Sequence, residues 1–329
     1  MDTDEIDFVI AWVDGADPAW RATYDRFCAQ EDKTFNKNGE RFRDWGLLRF
    51  WFRGVEKYAP WVRRIHFVTC GHVPQWLDIN HPKIHFVKHS DYLPSRYLPT
   101  FSANPIEINL HRIDGLAEQF VFFNDDIFLS APVDPTVFFK KGLPRDRGIR
   151  NYPARYDIGH IDLNDINLIN RRLDFWPLYR KNLWKWYNYR YGAQMLRNLF
   201  FVGYKDFTGV KNMHSANAYL KSTYLEVWNS CAEELEVTSL RKFRNIGDVN
   251  QWLFKYWQLV TGNFFPQNHN YSRYCLVDDL RTIERVLTRK ETKTICINDN
   301  GKADILQLKQ AILQVFAKVF PEKSGFELY

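Results

Sequence analysis

The stretch "VFFNDDIFLS", residues 121–130, is an apolar strand interrupted at its centre by Asn124, Asp125 and Asp126. The apolar run that leads into this interruption suits a strand covered on both faces, as in a parallel sheet. Two adjacent carboxylates beside a buried strand need a positive partner, because an unpaired buried charge is expensive. An arginine, a protonated neighbour or a metal ion carrying a phosphate would each serve. By itself "NDD" also suits a plain turn or helix cap.

Outward from this stretch, the first 130 residues hold four such runs: "IDFVIAWV" (6–13), "RRIHFVTC" (63–70), "KIHFVKH" (83–89) and "QFVFFND" (119–125). Helical patterns lie between them. Residues 44–58 bring Trp45, Leu48, Trp51, Phe52 and Val55 onto one face. Residues 104–114 open with Asn104 and Pro105 as N-cap and first helical residue and close at Gly115. Alternating strands and helices predict an α/β fold with a mostly parallel sheet and helices on both faces. Each run ends in a polar cluster: Asp14-Gly15, Gly71-His72, Ser90-Asp91, and Asn124-Asp125-Asp126. Open α/β sheets bind ligands at the carboxyl ends of their strands, so the four clusters point to one rim.

Further along, residues 140–210 break the pattern, and 171–205 interleave Arg and Lys with Phe, Trp and Tyr. Helical periodicity returns over about 215–235 and 248–261. "TKTICIND" (292–299) reads as another strand ending in an Asn-Asp pair, and 303–320 as a terminal amphipathic helix.

The chain has 329 residues, enough for one large domain, and 45% of them are hydrophobic, enough to fill its core. The net charge of +6 favours an anionic ligand, polymer or membrane surface without choosing among them. Asp2, Asp4, Glu5 and Asp7 follow Met1 directly, which reads against a secretion signal. No apolar run approaches the roughly 20 residues that span a bilayer. Five scattered cysteines without CxxC spacing suit a reduced, cytoplasmic chain. The aromatic-basic stretch suits a carbohydrate acceptor or the inner membrane surface. Nucleic acid is a poorer match, because no nucleic-acid module accompanies the stretch.

Several motifs have both a structural and a chemical reading. "WVDGADPAW" (12–20) is an Asp-Gly turn before a Pro-started helix, and such a loop can also present backbone N–H groups to a nucleotide. His66, His85 and His89 read as packing or surface residues. His214, just before a helical segment, is a stronger chemical candidate. Arg244, four residues before Asp248, reads by default as half of a surface ion pair. The Asn298-Asp299 pair on a second strand end strengthens a divalent-cation reading, since Mg²⁺ takes carboxylate oxygens and substrate phosphates.

Together these pieces resemble the Stealth proteins, bacterial capsular and exopolysaccharide phosphotransferases related to the catalytic region of N-acetylglucosamine-1-phosphotransferase. The first of the family's four blocks is similar to "IDFVIAWVDGADPAW" (6–20). The second resembles 41–78 and continues through "LPTFSANPIEINLHRIDGLAEQFVFFNDDIFL" (98–129). The third resembles "MHSANAYLK" with "FRNIGDVNQWLFKYW" (213–257), and the fourth "ICINDN" (295–300) with "FPEKSGFE" (320–327). Two positions depart from the family pattern: Ala216 where His-x-Pro is usual, and Ile108 where Ile-Glu-Ser is usual.

The resemblance implies a Rossmann-like, glycosyltransferase-A-like single catalytic domain over 1–329. It would comprise a nucleotide-binding half (1–139), an aromatic-basic insertion (140–210) and a C-terminal half (211–329) that completes the site. It implies transfer of a sugar-1-phosphate from a UDP-sugar to a glycan hydroxyl, with UMP leaving and Mg²⁺ or Mn²⁺ as cofactor. The family's catalytic residues map onto Asp125, Asp126, His214 and Arg244, and its nucleotide loop onto Trp12, Val13, Asp14 and Gly15. Asp126 and Asp299 are the implied metal ligands. Arg43, His111, Arg112 and Asp248 fall within the blocks as substrate candidates, and Trp184 and Trp186 are acceptor candidates from the insertion. The rival readings are a metal-dependent glycosyltransferase releasing UDP, and a non-catalytic carbohydrate-binding module that would leave the carboxylates without a role.

Overall fold

The computed structural model describes residues 5–30, 42–153, 158–299, 301 and 305–329. Arg41 and Asn300, at the edges of two of the blocks quoted above, lie outside the described residues.

The chain opens with strand β1 (Ile6–Ala11) and helix α1 (Pro18–Cys28). Asp17 starts this helix by accepting the Trp20 amide at 2.7 Å, with Pro18 as its first residue. Helix α2 (Leu48–Tyr58) buries Trp51, Phe52, Val55 and Tyr58. It begins later than the apolar pattern suggested because Gly46 takes a φ of +72° and closes a turn on Asp44. Strands β2 (Ile65–Thr69) and β3 (Ile84–Lys88) follow, then the short helices α3 (His89–Tyr92) and α4 (Ala103–Glu107).

The helix expected over 104–114 is not continuous. Ser102 rather than Asn104 caps it, and the Asn109 side chain turns back to the Pro105 carbonyl at 2.8 Å, leaving a separate 3₁₀ turn at Leu110–Arg112. Strand β4 (Gln119–Phe123) and strand β5 (Ile127–Leu129) flank Asn124-Asp125-Asp126. The chain continues through β6 (Phe139–Lys140), β7 (Leu143–Asp146), α5 (Ile158–Arg172), α6 (Phe175–Lys181) and α7 (Leu183–Trp186). Asn217–Leu220, expected to be helical, is strand β8, whose alternate residues Asn217 and Tyr219 are buried. Last come α8 (Lys221–Ser230), α9 (Ala232–Leu240), α10 (Trp252–Thr261), β9 (Phe265–Pro266), β10 (Ser272–Leu276), α11 (Leu280–Arg289), β11 (Thr294–Asn298) and α12 (Ile305–Val319).

The central sheet has the order β3-β2-β1-β4-β8. Its first four strands are parallel, as the apolar runs predicted, and β8 pairs antiparallel with β4. The chain leaves β1 toward β2 on one side and returns to β4 on the other. This reversal opens a crevice between the carboxyl ends of β1 and β4, where α/β sheets bind ligands. A smaller sheet, β10-β11-β5, joins the link after β4, and a third is ordered β6-β7-β9.

Core packing follows the alternation of the central strands. Phe8, Ile10, Phe67 and Phe123 point into one core with α2, α11 and α12, while Val9, Val68, Phe120 and Phe122 point into the other with α8 and α10. Residues 140–210, expected as an insertion, also contribute to this second core through Phe175, Tyr179, Trp186 and Phe207. His66 is buried as expected, bonded to Asp7 at 2.9 Å and to His85 at 2.9 Å.

Candidate active site

A cleft of about 570 Å³ opens at the reversal point of the central sheet. The link between β4 and β5 forms its floor, closed by the Ile127 amide donating to the Asn124 carbonyl at 3.0 Å. From the far side the Ile297 amide of β11 donates to the Asp126 carbonyl at 2.8 Å. The small sheet therefore fixes the two aspartates of the central one.

Asp126 Oδ2 faces His214 Nδ1 at 3.2 Å and accepts the Cys296 thiol at 3.3 Å, and Cys296 Sγ lies 3.3 Å from the same imidazole nitrogen. Asp126 Oδ1 is buried without a hydrogen-bond partner among the described residues. Burial alone would lower the His214 pKa, but the charge and hydrogen bond of Asp126, with Glu107 and Asp125, raise it above its ordinary value. Burial and the adjacent Asp126 keep the Cys296 thiol protonated.

The Asp125 side chain is open to cleft solvent but enclosed by surrounding protein. This enclosure, with the nearby charges of Asp126 and Asp44, pushes its pKa up to about 7. Glu107, at the end of α4, is buried in the cleft wall. Desolvation raises its pKa to about 7 and Asp126 adds to the rise, while Arg244 and His214 pull the other way. Glu107 was not among the candidates read from sequence, where it sat inside an apparently ordinary helix. Cys296 was missed as one more apolar strand position.

Asp299 follows β11 on the opposite lip, its Oδ2 buried with no hydrogen bond and 3.5 Å from Arg43 Nη1. Arg43 and Arg244 both line the cleft, as do Trp12 and Val13. Asp14 and Gly15 shape the loop after β1 from outside the cleft lining. The Asp14 amide donates to His72 Nδ1 at 3.0 Å, and its carboxylate accepts the Ala16 amide at 2.9 Å. A Cβ on Gly15 would lie 2.3 Å from the Phe42 carbonyl oxygen, so glycine lets the segment carrying Arg43 cross close above the loop.

The remaining candidates lie elsewhere. His111 is buried between Tyr224 and Trp228, its pKa pushed down to about 3 by burial and by the charges of Arg112 and Lys221. Arg112 stacks on Trp228 at 4.7 Å. Asp248 is fully buried, and its ion pair is with Arg241 at 2.7 Å rather than with Arg244. It also accepts from Asn104 Nδ2 and the Asn245 amide, and these bonds tie α4 to the loop before α10. Trp186 is fully buried against Phe175 and Tyr179, which removes it from any acceptor surface, whereas Trp184 is half exposed.

Two donor sets could hold a cation. Asp126, His214 and Cys296 offer ligand atoms within 4.8 Å of one another, but the protonated thiol already donates to Asp126. Asp126 Oδ1, buried without a hydrogen bond, and Asp299 Oδ2, paired at 3.5 Å with Arg43, lie in one cleft and are the oxygen type a hard cation takes alongside water and phosphate.

Conserved region 1 of the Stealth proteins matches residues 4–30, and conserved region 2 matches 41–146. Over 98% of both chains, the sequence is 40% identical to the capsular polysaccharide phosphotransferase WcwK of Streptococcus pneumoniae. It is 36% identical to the receptor polysaccharide phosphotransferase WefC of Streptococcus oralis, over 98% of this chain and 99% of that one. Identity to the exopolysaccharide phosphotransferase cps2G of Lactiplantibacillus plantarum is 35%, over 98% and 96%. These matches include the β1 loop and the Asp125-Asp126 link on the cleft floor and extend across almost the whole chain, so the protein is a transferase that belongs to the Stealth family.

Proposed function

We propose that the chain transfers a sugar-1-phosphate from a UDP-sugar to a hydroxyl of a glycan acceptor, releasing UMP, in capsular or exopolysaccharide synthesis at the cytoplasmic face of the membrane. The observation that carries this reading is the convergence of Asp125, Asp126 and Arg244 on one cleft at the sheet's reversal point, with His214 held against Asp126 at 3.2 Å. The phosphotransferase names of the relatives support it.

In this reading the acceptor oxygen attacks the phosphorus that carries the sugar. The bond from that phosphorus to the bridging oxygen breaks, UMP departs with that oxygen, and the sugar C1–O bond stays intact. Asp125, near neutrality and open to the cleft, takes the hydroxyl proton. Arg244, Arg43 and a protonated His214 offset negative charge on the phosphate oxygens. Asp126 and Asp299 would hold Mg²⁺ or Mn²⁺, which when bound supplies further charge neutralisation.

The test is incubation with a panel of UDP-sugars, a divalent cation and a glycan acceptor, followed by mass identification of the nucleotide and ³¹P NMR of the product. UMP and a new phosphodiester are expected. UDP and a phosphorus-free product would instead establish glycosyl transfer.

A further inference from the structure

The chain's charge is unevenly placed. Residues 175–205 contain Arg180, Lys181, Lys185, Arg190, Arg197 and Lys205, with no Asp or Glu, and of these Lys185 alone is buried, donating to the Gly262 carbonyl. Six positive charges here equal the whole chain's net +6, so the remainder sums to zero. Within this segment, Leu196, Leu199, Phe200, Val202 and Tyr204 are all exposed, Phe200 by 83%. Five large apolar side chains within nine residues form the kind of exposed patch that marks an interaction surface.

This patch is held in place from below. Asn198 is fully buried, and its side-chain amide donates to the carbonyls of Gly148 and Trp186, both at 2.6 Å. The guanidinium of Arg150, also fully buried, donates to the carbonyls of Phe201 and Asp206, each at 2.7 Å. Two buried polar side chains thus hold the segment with its apolar groups turned outward.

We propose that the Leu196–Tyr204 segment, 3₁₀-helical as far as Phe201, is a docking surface for an anionic lipid bilayer, with its apolar groups in the headgroup–acyl boundary and the exposed Arg197 and Lys205 on the lipid phosphates. Apolar groups bordered by cations, with an aromatic at the boundary, match an interfacial anchor. A polyanionic glycan is a poorer occupant, because Leu196, Leu199 and Val202 offer no ring face to a sugar. A second copy of the chain is also poorer, since an isologous contact would set like charges against each other.

The test needs no substrate, so it is independent of the reaction proposed above. The whole protein is floated with phosphatidylcholine vesicles and with vesicles containing equal parts phosphatidylglycerol. Wild type is expected to float with the anionic vesicles and to be released by salt. The double variant Leu199→Ser, Phe200→Ser should lose partitioning by about tenfold or more, with unchanged circular dichroism and unchanged turnover on a short soluble acceptor. Failure of the wild type to float, or unchanged flotation of the variant, would overturn the proposal. So would a concentration-dependent dimer that the variant dissociates, or a loss of affinity for soluble polymeric acceptor without loss of flotation.

Discussion

The two oxygens of Asp126 meet different surroundings: Oδ2 holds His214 and Cys296, while Oδ1 is buried without a partner. Asp126→Asn removes the charge that raises the His214 pKa and leaves burial to pull it down. An NMR titration should show His214 titrating lower in the variant, with a loss of about 10²–10⁴ in kcat. An unmoved imidazole titration would count against the pair. Glu107 gives a stability signature. Its pKa is about 7 in the fold against an ordinary 4.5, so the unfolded chain releases the proton first as pH rises. Stability from this group is complete below about pH 4.5, declines up to about pH 7 and is then level. Glu107→Gln should flatten that decline and be the more stable protein at pH 8, by on the order of 2–3 kcal/mol, as read from urea melts across pH. Paired aspartates at a strand end are visible in a sequence. Glu107 is not, because only the Ser102 cap and the break at Asn109 end its helix in the cleft wall.

At the scale of elements, the parallel strands were legible because β1, β2 and β4 are buried on both faces, which leaves uninterrupted apolar runs. Strand β10, "SRYCL", leaves three of its five residues exposed, and β5 has only three residues. Strand β10 exists through parallel pairing with β11 across α11, and β5 through pairing with the same β11, far away in sequence. Residues 217–220 were misread for the same reason: their partner is β4, nearly a hundred residues earlier. The Asp-Gly turn after β1 was also legible, but its dependence on Phe42 was not. Gly15→Ala would force the Phe42 segment, and with it Arg43 and its contact to Asp299, away from the loop. A displacement of about 1 Å at a binding site can cost tenfold or more. The KM for the proposed UDP-sugar donor is therefore expected to rise by about that factor, measured at saturating acceptor. A variant with native KM would show that the crossing segment is not part of the donor site.

Across the whole molecule, the stretch 171–205 divides between core and surface in a way its composition could not reveal. Trp186 is sealed against Phe264 and lies over Gly148, where an added Cβ would come 2.9 Å from its ring, while Trp184 faces solvent beside Phe265. Trp186→Ala should destabilise the protein by about 3–5 kcal/mol, and Trp184→Ala by less than about 1 kcal/mol, in denaturant melts. Comparable losses would mean that the stretch packs as a unit. The candidate cation site joins equally distant parts of the chain. Asp126 belongs to the link after β4 and Asp299 to the end of β11, which pairs with β5 just beyond that link. A cation held between them would bind the folded chain alone and stabilise it in proportion to its concentration. At about a hundred times its Kd this is worth about 2.7 kcal/mol. Thermal melts of the EDTA-stripped protein should therefore shift upward by several degrees on adding Mg²⁺ or Mn²⁺, and Asp299→Asn should abolish the shift. Turnover should disappear with the stripped metal and return with it. A melting temperature indifferent to both cations, together with full turnover in excess EDTA, would leave Asp126 Oδ1 and Asp299 Oδ2 without a metal role.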